Sequence, residues 1–85
     1  MKVLVFTKED GPEMREAIDK GKELEADDFE VEYYDTDEVE GISKAQLYDI
    51  YSTPSFVAVR DDGSLAQIWR GIIPTTDELK SHLNI

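Results

Sequence analysis

The stretch "YDIYSTPSFVAV", residues 48–59, decides the fold. Pro54 stands directly before Ser55-Phe56-Val57-Ala58-Val59. Proline has no N–H to give to a sheet ladder and fixes its own φ, so it can introduce a strand but not sit inside a central one. The run after it is almost continuously apolar and rich in β-branched and aromatic residues. Such a run predicts a strand covered on both faces.

Working outward from this strand, Asp62-Gly63 predicts a tight hairpin turn, because both residue types tolerate positive φ, and Leu65 to Trp69 is its second arm. Thr75-Thr76-Asp77-Glu78 has the pattern of a capping box, which opens a closing helix with Leu79 and Leu83 inward. Upstream, Ser43-Lys44-Ala45-Gln46 has the same pattern. It predicts a short helix with Leu47, Ile50 and Tyr51 on one side, after an acidic loop over 35–41. Phe29 to Tyr34 alternates at first and predicts a strand. Met14, Ala17, Ile18, Gly21 and Leu24, at i, i+3, i+4, i+7 and i+10, draw one apolar stripe along a first helix. Lys2 to Thr7 is a buried strand. The order is β-α-β-α-β-β-α, in one domain over residues 1–85. The first β-α-β needs a crossover and so a parallel pair, while the last two strands form an antiparallel hairpin. An α/β fold follows, with a mixed four-stranded sheet and helices on both faces.

Composition narrows the chemistry. The chain has 85 residues, 40% of them hydrophobic, enough for one modest core. No apolar run nears the ~20 residues that span a bilayer, and the N-terminal apolar run is too short for a secretory signal, so a soluble, cytoplasmic protein is expected. The net charge of −11 repels phosphate backbones and anionic lipid. No nucleic acid and no membrane are expected as partners; a protein with a basic or extended segment is. A monomer is expected. With no cysteine, disulfides, thiol nucleophiles and most zinc sites are excluded. The single histidine, His82, reads as a surface helix residue. No metal or cofactor is expected. The acidic loop fails as a calcium loop: Asp35-x-Asp37-x-Val39 lacks a third ligand, and Glu40 stands where glycine is required.

The whole order, with a proline entering the third strand, resembles the thioredoxin family. "YDTDE" at 34–38 is similar to the end of that family's second strand. Tyr48-x-Ile50-x-x-x-Pro54, Phe56-Val57, the Asp62-Gly63 turn, Gly71 and "PTTDELKSHL" at 74–83 also match in place. In this register the family's C-G-P-C falls on Asp10-Gly11-Pro12-Glu13. The buried acid of the family's first strand falls on Leu4, and the aromatic before its first cysteine on Glu9. A glutaredoxin-like register would place the cysteines at Gly11 and Met14, with Lys8 near a glutathione carboxylate. The retained Gly-Pro favours the first register. Neither leaves a thiol. The resemblance implies a cis bond at Thr53–Pro54 and a substrate-facing cluster of three loops: Asp10 to Pro12, Thr53-Pro54 and Gly71-Ile72.

A carboxylate cannot replace a thiolate in thiol exchange. Asp10 and Glu13 instead fit the N-cap and N3 positions of a D-x-x-E capping box, with Pro12 harmless in the first turn. The expected function is that of a redox-inactive protein-binding module, not an enzyme, using Thr53, Pro54, Gly71 and Ile72. Two rival readings are an enzyme that uses Asp10 or Glu13 as acid or base, and a structural subunit of a larger assembly that docks by a helix face. Trp69, Tyr33, Tyr34, Tyr48 and Phe56 are expected in core or half-buried packing.

Overall fold

The computed structural model describes residues 1–8 and 12–82. Its elements run β1 (Lys2–Thr7), α1 (Pro12–Ala26), β2 (Glu30–Asp35), α2 (Val39–Leu47), β3 (Ser55–Val59), β4 (Leu65–Arg70) and α3 (Thr76–Ser81). The four strands form one sheet in the order β2-β1-β3-β4. β1 and β2 are parallel, and β3 lies antiparallel to both β1 and β4. The expected order, sheet and mixed pairing are all present. Leu83 and the two residues after it lie outside the described residues, as do Glu9, Asp10 and Gly11. No helix among the described residues is long and apolar enough to cross a membrane.

Strand periodicity sorts the core into two layers. Val3 and Val5 of β1, with Phe56 and Ala58 of β3, pack under α1 and α3 against Ala17, Leu24 and Leu79. Their alternates, Leu4, Phe6 and Val57, face the other way and meet Ala45 and Ile50. The continuous apolar runs read from the sequence are therefore two alternating faces, each with its own helix layer. At the hairpin only Gly63 takes positive φ, at 88°. Asp62 contributes its carboxylate instead, which accepts from the Ser64 amide and hydroxyl at 2.9 and 2.7 Å. The capping box of α3 is complete: Thr75 Oγ1 accepts from the Glu78 amide, and the Glu78 carboxylate accepts from the Thr75 amide.

Trp69 is buried among the α1/α3 layer. Its Nε1 donates to Glu78 Oε2 at 3.2 Å, and the His82 ring meets it edge-on at 5.7 Å. His82 is thus half-buried at the C-cap of α3 rather than free on its surface.

The second helix differs from its sequence reading. It starts at Val39, with Glu38 as an N-cap that makes no side-chain capping bond. Ser43 lies inside it, so the capping-box pattern is incidental. Leu47 and Tyr51, expected on one side with Ile50, are 67% and 87% exposed while Ile50 is buried. The inward positions are Gly41 and Ala45, and Ile50 is buried just beyond the helix end. Tyr33 is also more exposed than expected, at 41%. Its ring lies over Gly21 of α1, and its hydroxyl donates to Glu25.

Tyr34, by contrast, is buried against Phe6. Its hydroxyl donates to Glu32 at 2.7 Å, and the Lys2 ammonium lies 3.1 Å from the same carboxyl group. The Tyr34 hydroxyl first, and Lys2 second, hold Glu32 below the usual carboxylate range. Burial, together with the Glu32 bond, pushes Tyr34 up to about 12. A phenol raised in the folded state stays protonated while the unfolded chain ionises. Its stabilising contribution is therefore complete below the ordinary tyrosine pKa of ~10 and is lost as pH rises toward about 12. Chemical denaturation at pH 9 and 11.5 should show a smaller alkaline loss in Tyr34→Phe than in the parent. Equal losses would mean that the phenol does not titrate differently in the two states.

Candidate functional site

Strand directions bring three connections to one end of the sheet. Phe6 pairs with Ser55, and Ser55 pairs with Arg70. The exit of β1, the entrance of β3 and the exit of β4 are therefore neighbours. The chain leaves β1 there and opens α1 at Pro12, with Glu13 exposed in its first turn. Ser52 to Pro54 leads into β3, and Gly71 to Ile73 leads away from β4. Of the residues singled out in the sequence, Pro12, Glu13, Thr53, Pro54, Gly71 and Ile72 come to this end. Asp10 and Gly11 lie outside the described residues.

Two side chains that the sequence reading passed over hold the loops together. Ser55 is fully buried. Its Oγ donates to the Ser52 carbonyl at 2.6 Å and accepts from the Gly71 amide at 3.1 Å. One hydroxyl thus bridges the loop before β3 and the loop after β4. Arg70 makes the second link. Its guanidinium donates to the carbonyls of Tyr48 and Asp49, at 3.1 and 3.2 Å, past the C-terminus of α2. Asp49 takes φ +55°, which turns the chain out of the helix and toward Pro54. Neither link leaves a local sequence signature, because the partners are up to 22 residues apart.

Between these links the Thr53–Pro54 bond is cis. Pro54 is buried and Thr53 half-buried. Gly71 has φ +75°, where a side chain is strained, and a Cβ there would approach Ser52 Oγ to 3.3 Å. Tyr51 and Ile72, in the same two loops, are 87% and 57% exposed. Leu4, at the position the resemblance gives to a buried acid, is 3% exposed and packed with Phe6, Tyr34, Ala45 and Val57. Lys8 is exposed, with its amide directed at Met14 Sδ at 3.5 Å. Among the described residues, no group of three His, Cys, Asp or Glu side chains could hold a metal ion.

Ser55→Ala removes the bridge without changing the fold's volume much. It leaves the Ser52 carbonyl and the Gly71 amide, both in exposed residues, to bond to water instead, a loss of ~0.5–1.5 kcal/mol for each bond. We expect a lower urea midpoint together with faster hydrogen exchange at the Gly71 amide. Parent-like values for both would show that the hydroxyl does not hold the loops.

No protein-family profile and no curated protein matches the chain. Solved structures do. Thioredoxin 1 from the thermophilic eubacterium Thermosipho africanus TCF52B is 13% identical, with a TM-score of 0.75 over 99% of this chain and 91% of that one. A designed protein is 27% identical, with a TM-score of 0.71 over 98% of this chain and 72% of that one. A thioredoxin from Thermus thermophilus is 23% identical, with a TM-score of 0.66 over 98% and 71%. The chain therefore has the thioredoxin fold, and it has it without a cysteine.

Proposed function

We propose that this cysteine-free thioredoxin-fold domain carries no thiol–disulfide chemistry and acts by binding protein at the three-loop end of its sheet. The observation that supports this most is the Ser55 bridge. A buried hydroxyl fixes two loops that expose Tyr51 and Ile72 to solvent. A rigid loop pair with apolar side chains suits recognition, since little ordering entropy remains to be lost on binding. Thr53 and Gly71 bring main chain to the surface of the same cluster, which suits an extended segment. The net charge of −11 favours a segment with basic residues.

The test is selection from a random-peptide display library, followed by amide shift mapping with the best peptide. Shifts should concentrate at Ser52 to Ser55 and Gly71 to Ile73, and the double change Tyr51→Ser, Ile72→Ser should abolish binding. Failure to select any peptide, or shifts remote from these loops, would refute the reading. Insulin reduction by dithiothreitol should proceed at the protein-free rate.

A further inference from the structure

A second surface lies on the helix that leads into the loop cluster and does not depend on the reading given to that cluster. Three of the seven large apolar side chains exposed among the described residues lie on the nine-residue helix α2. Val39 is 82% exposed, Ile42 42% and Leu47 67%, and the exposed Ser43 and Gln46 lie on the same side. The opposite side is seated on the sheet by Gly41 and Ala45. The apolar face is therefore fixed in place.

Its charge is one-sided. Asp37, Glu38 and Glu40 are exposed at its N-terminal flank, and none of them forms an ion pair with a described residue. Lys44, the basic residue of the helix, lies over the Tyr34 ring at 5.9 Å and forms no ion pair with them. Acids near a helix N-terminus are stabilised by the helix dipole. That explains Glu38 and Glu40 but gives Val39, Ile42 and Leu47 no reason to face water. A second copy of the chain would set this acidic flank against itself, with −11 on each molecule. Anionic lipid would be repelled in the same way. We propose that the outer face of α2 is a docking surface for a basic amphipathic segment of a partner protein, whose apolar stripe covers Val39, Ile42 and Leu47 while its Lys and Arg residues meet Asp37, Glu38 and Glu40.

The probe is a synthetic Leu/Lys peptide of about 15 residues with leucines at helical spacing, compared with a scrambled isomer of the same charge. Calorimetry on the intact chain at physiological salt should give binding about tenfold tighter for the patterned peptide. Val39→Ser with Leu47→Ser should erase that preference. Glu38→Gln with Glu40→Gln should weaken binding and flatten its salt dependence. Tyr51→Ser with Ile72→Ser should change nothing, which separates this surface from the loop cluster. Equal affinity for the two peptides overturns the proposal. So do amide shifts centred outside residues 39–47, binding to anionic vesicles that Leu47→Ser removes, or a concentration-dependent dimer that Leu47→Ser dissolves.

Discussion

Gly41→Ala is expected to remove most of the stability of the domain. A Cβ at position 41 would overlap the Asp35 carbonyl oxygen and lie 2.5 Å from its carbonyl carbon. Both atoms are backbone, so no side chain can swing aside. Asp35 is paired with Thr7 in the parallel ladder, and its carbonyl accepts from the Glu38 amide. The strand end is thus held and α2 has to lift. Lifting it uncovers its own Ala45 and the sheet residues Leu4, Phe6 and Val57 that share its cluster. Overpacking in a yielding core costs ~1–3 kcal/mol, and more where main chain must shift. At ~0.05–0.15 kcal/mol per residue, an 85-residue domain holds only about 4–13 kcal/mol in all. The urea midpoint should fall by about half or more, or the chain should fail to fold. Ser43→Ala, on the outer face of the same helix, should leave it nearly unchanged. A parent-like midpoint for Gly41→Ala would mean that α2 does not rest on the end of β2.

Leu4→Asp restores the residue type that the resemblance places in the first strand, and it should be nearly as damaging. Leu4 is 3% exposed in a cluster whose buried members carry one hydroxyl, that of Tyr34, and this already donates to Glu32. Burial disfavours the charged form and raises the pKa of such an acid, by as much as ~3–5 units. The folded variant would bind a proton that the unfolded chain releases. Its stability therefore falls as pH rises from the unfolded carboxylate value toward the raised folded one, by ~1.4 kcal/mol per unit. The lost leucine burial adds ~1.5–3 kcal/mol at every pH. Thermal melting at pH 4 and pH 7.5 should show a much larger deficit at the higher pH. A pH-independent deficit would mean that the carboxyl group reaches water, and that this end of the sheet is more open than Leu4 suggests.

Much of the architecture was legible because local and long-range signals agree. Pro54 before a β-branched run, Asp62-Gly63, and Thr75 three residues before Glu78 each act within a few residues, and each element begins or turns where they stand. The second helix was misplaced because its start rests on packing rather than on a cap. Glu38 makes no capping bond, while the close seat of Gly41 on Asp35 is a contact between elements. Ser43 with Gln46 offered a local pattern that this contact overrides. At the loop cluster the sequence pointed to Thr53, Pro54, Gly71 and Ile72, which do come to one end. It did not point to Ser55 or Arg70. Within a strand a serine looks like a gap in an apolar run, and an arginine at a strand end looks like solvation. Their roles depend on which loops the sheet order brings beside them.

Trp69 is the chain's one indole, and its surroundings make it a built-in optical reporter. It is packed in the α1/α3 layer, bonded to Glu78 and flanked by His82, both at α3. Its emission should lie toward the blue in the folded protein and move to the red when water reaches the ring. α2 packs on the opposite side of the sheet. A substitution that loosens α3 should therefore alter the fluorescence of the folded state directly. One confined to α2 should leave the spectrum unchanged until the whole domain unfolds, so a single wavelength scan tells the two layers apart.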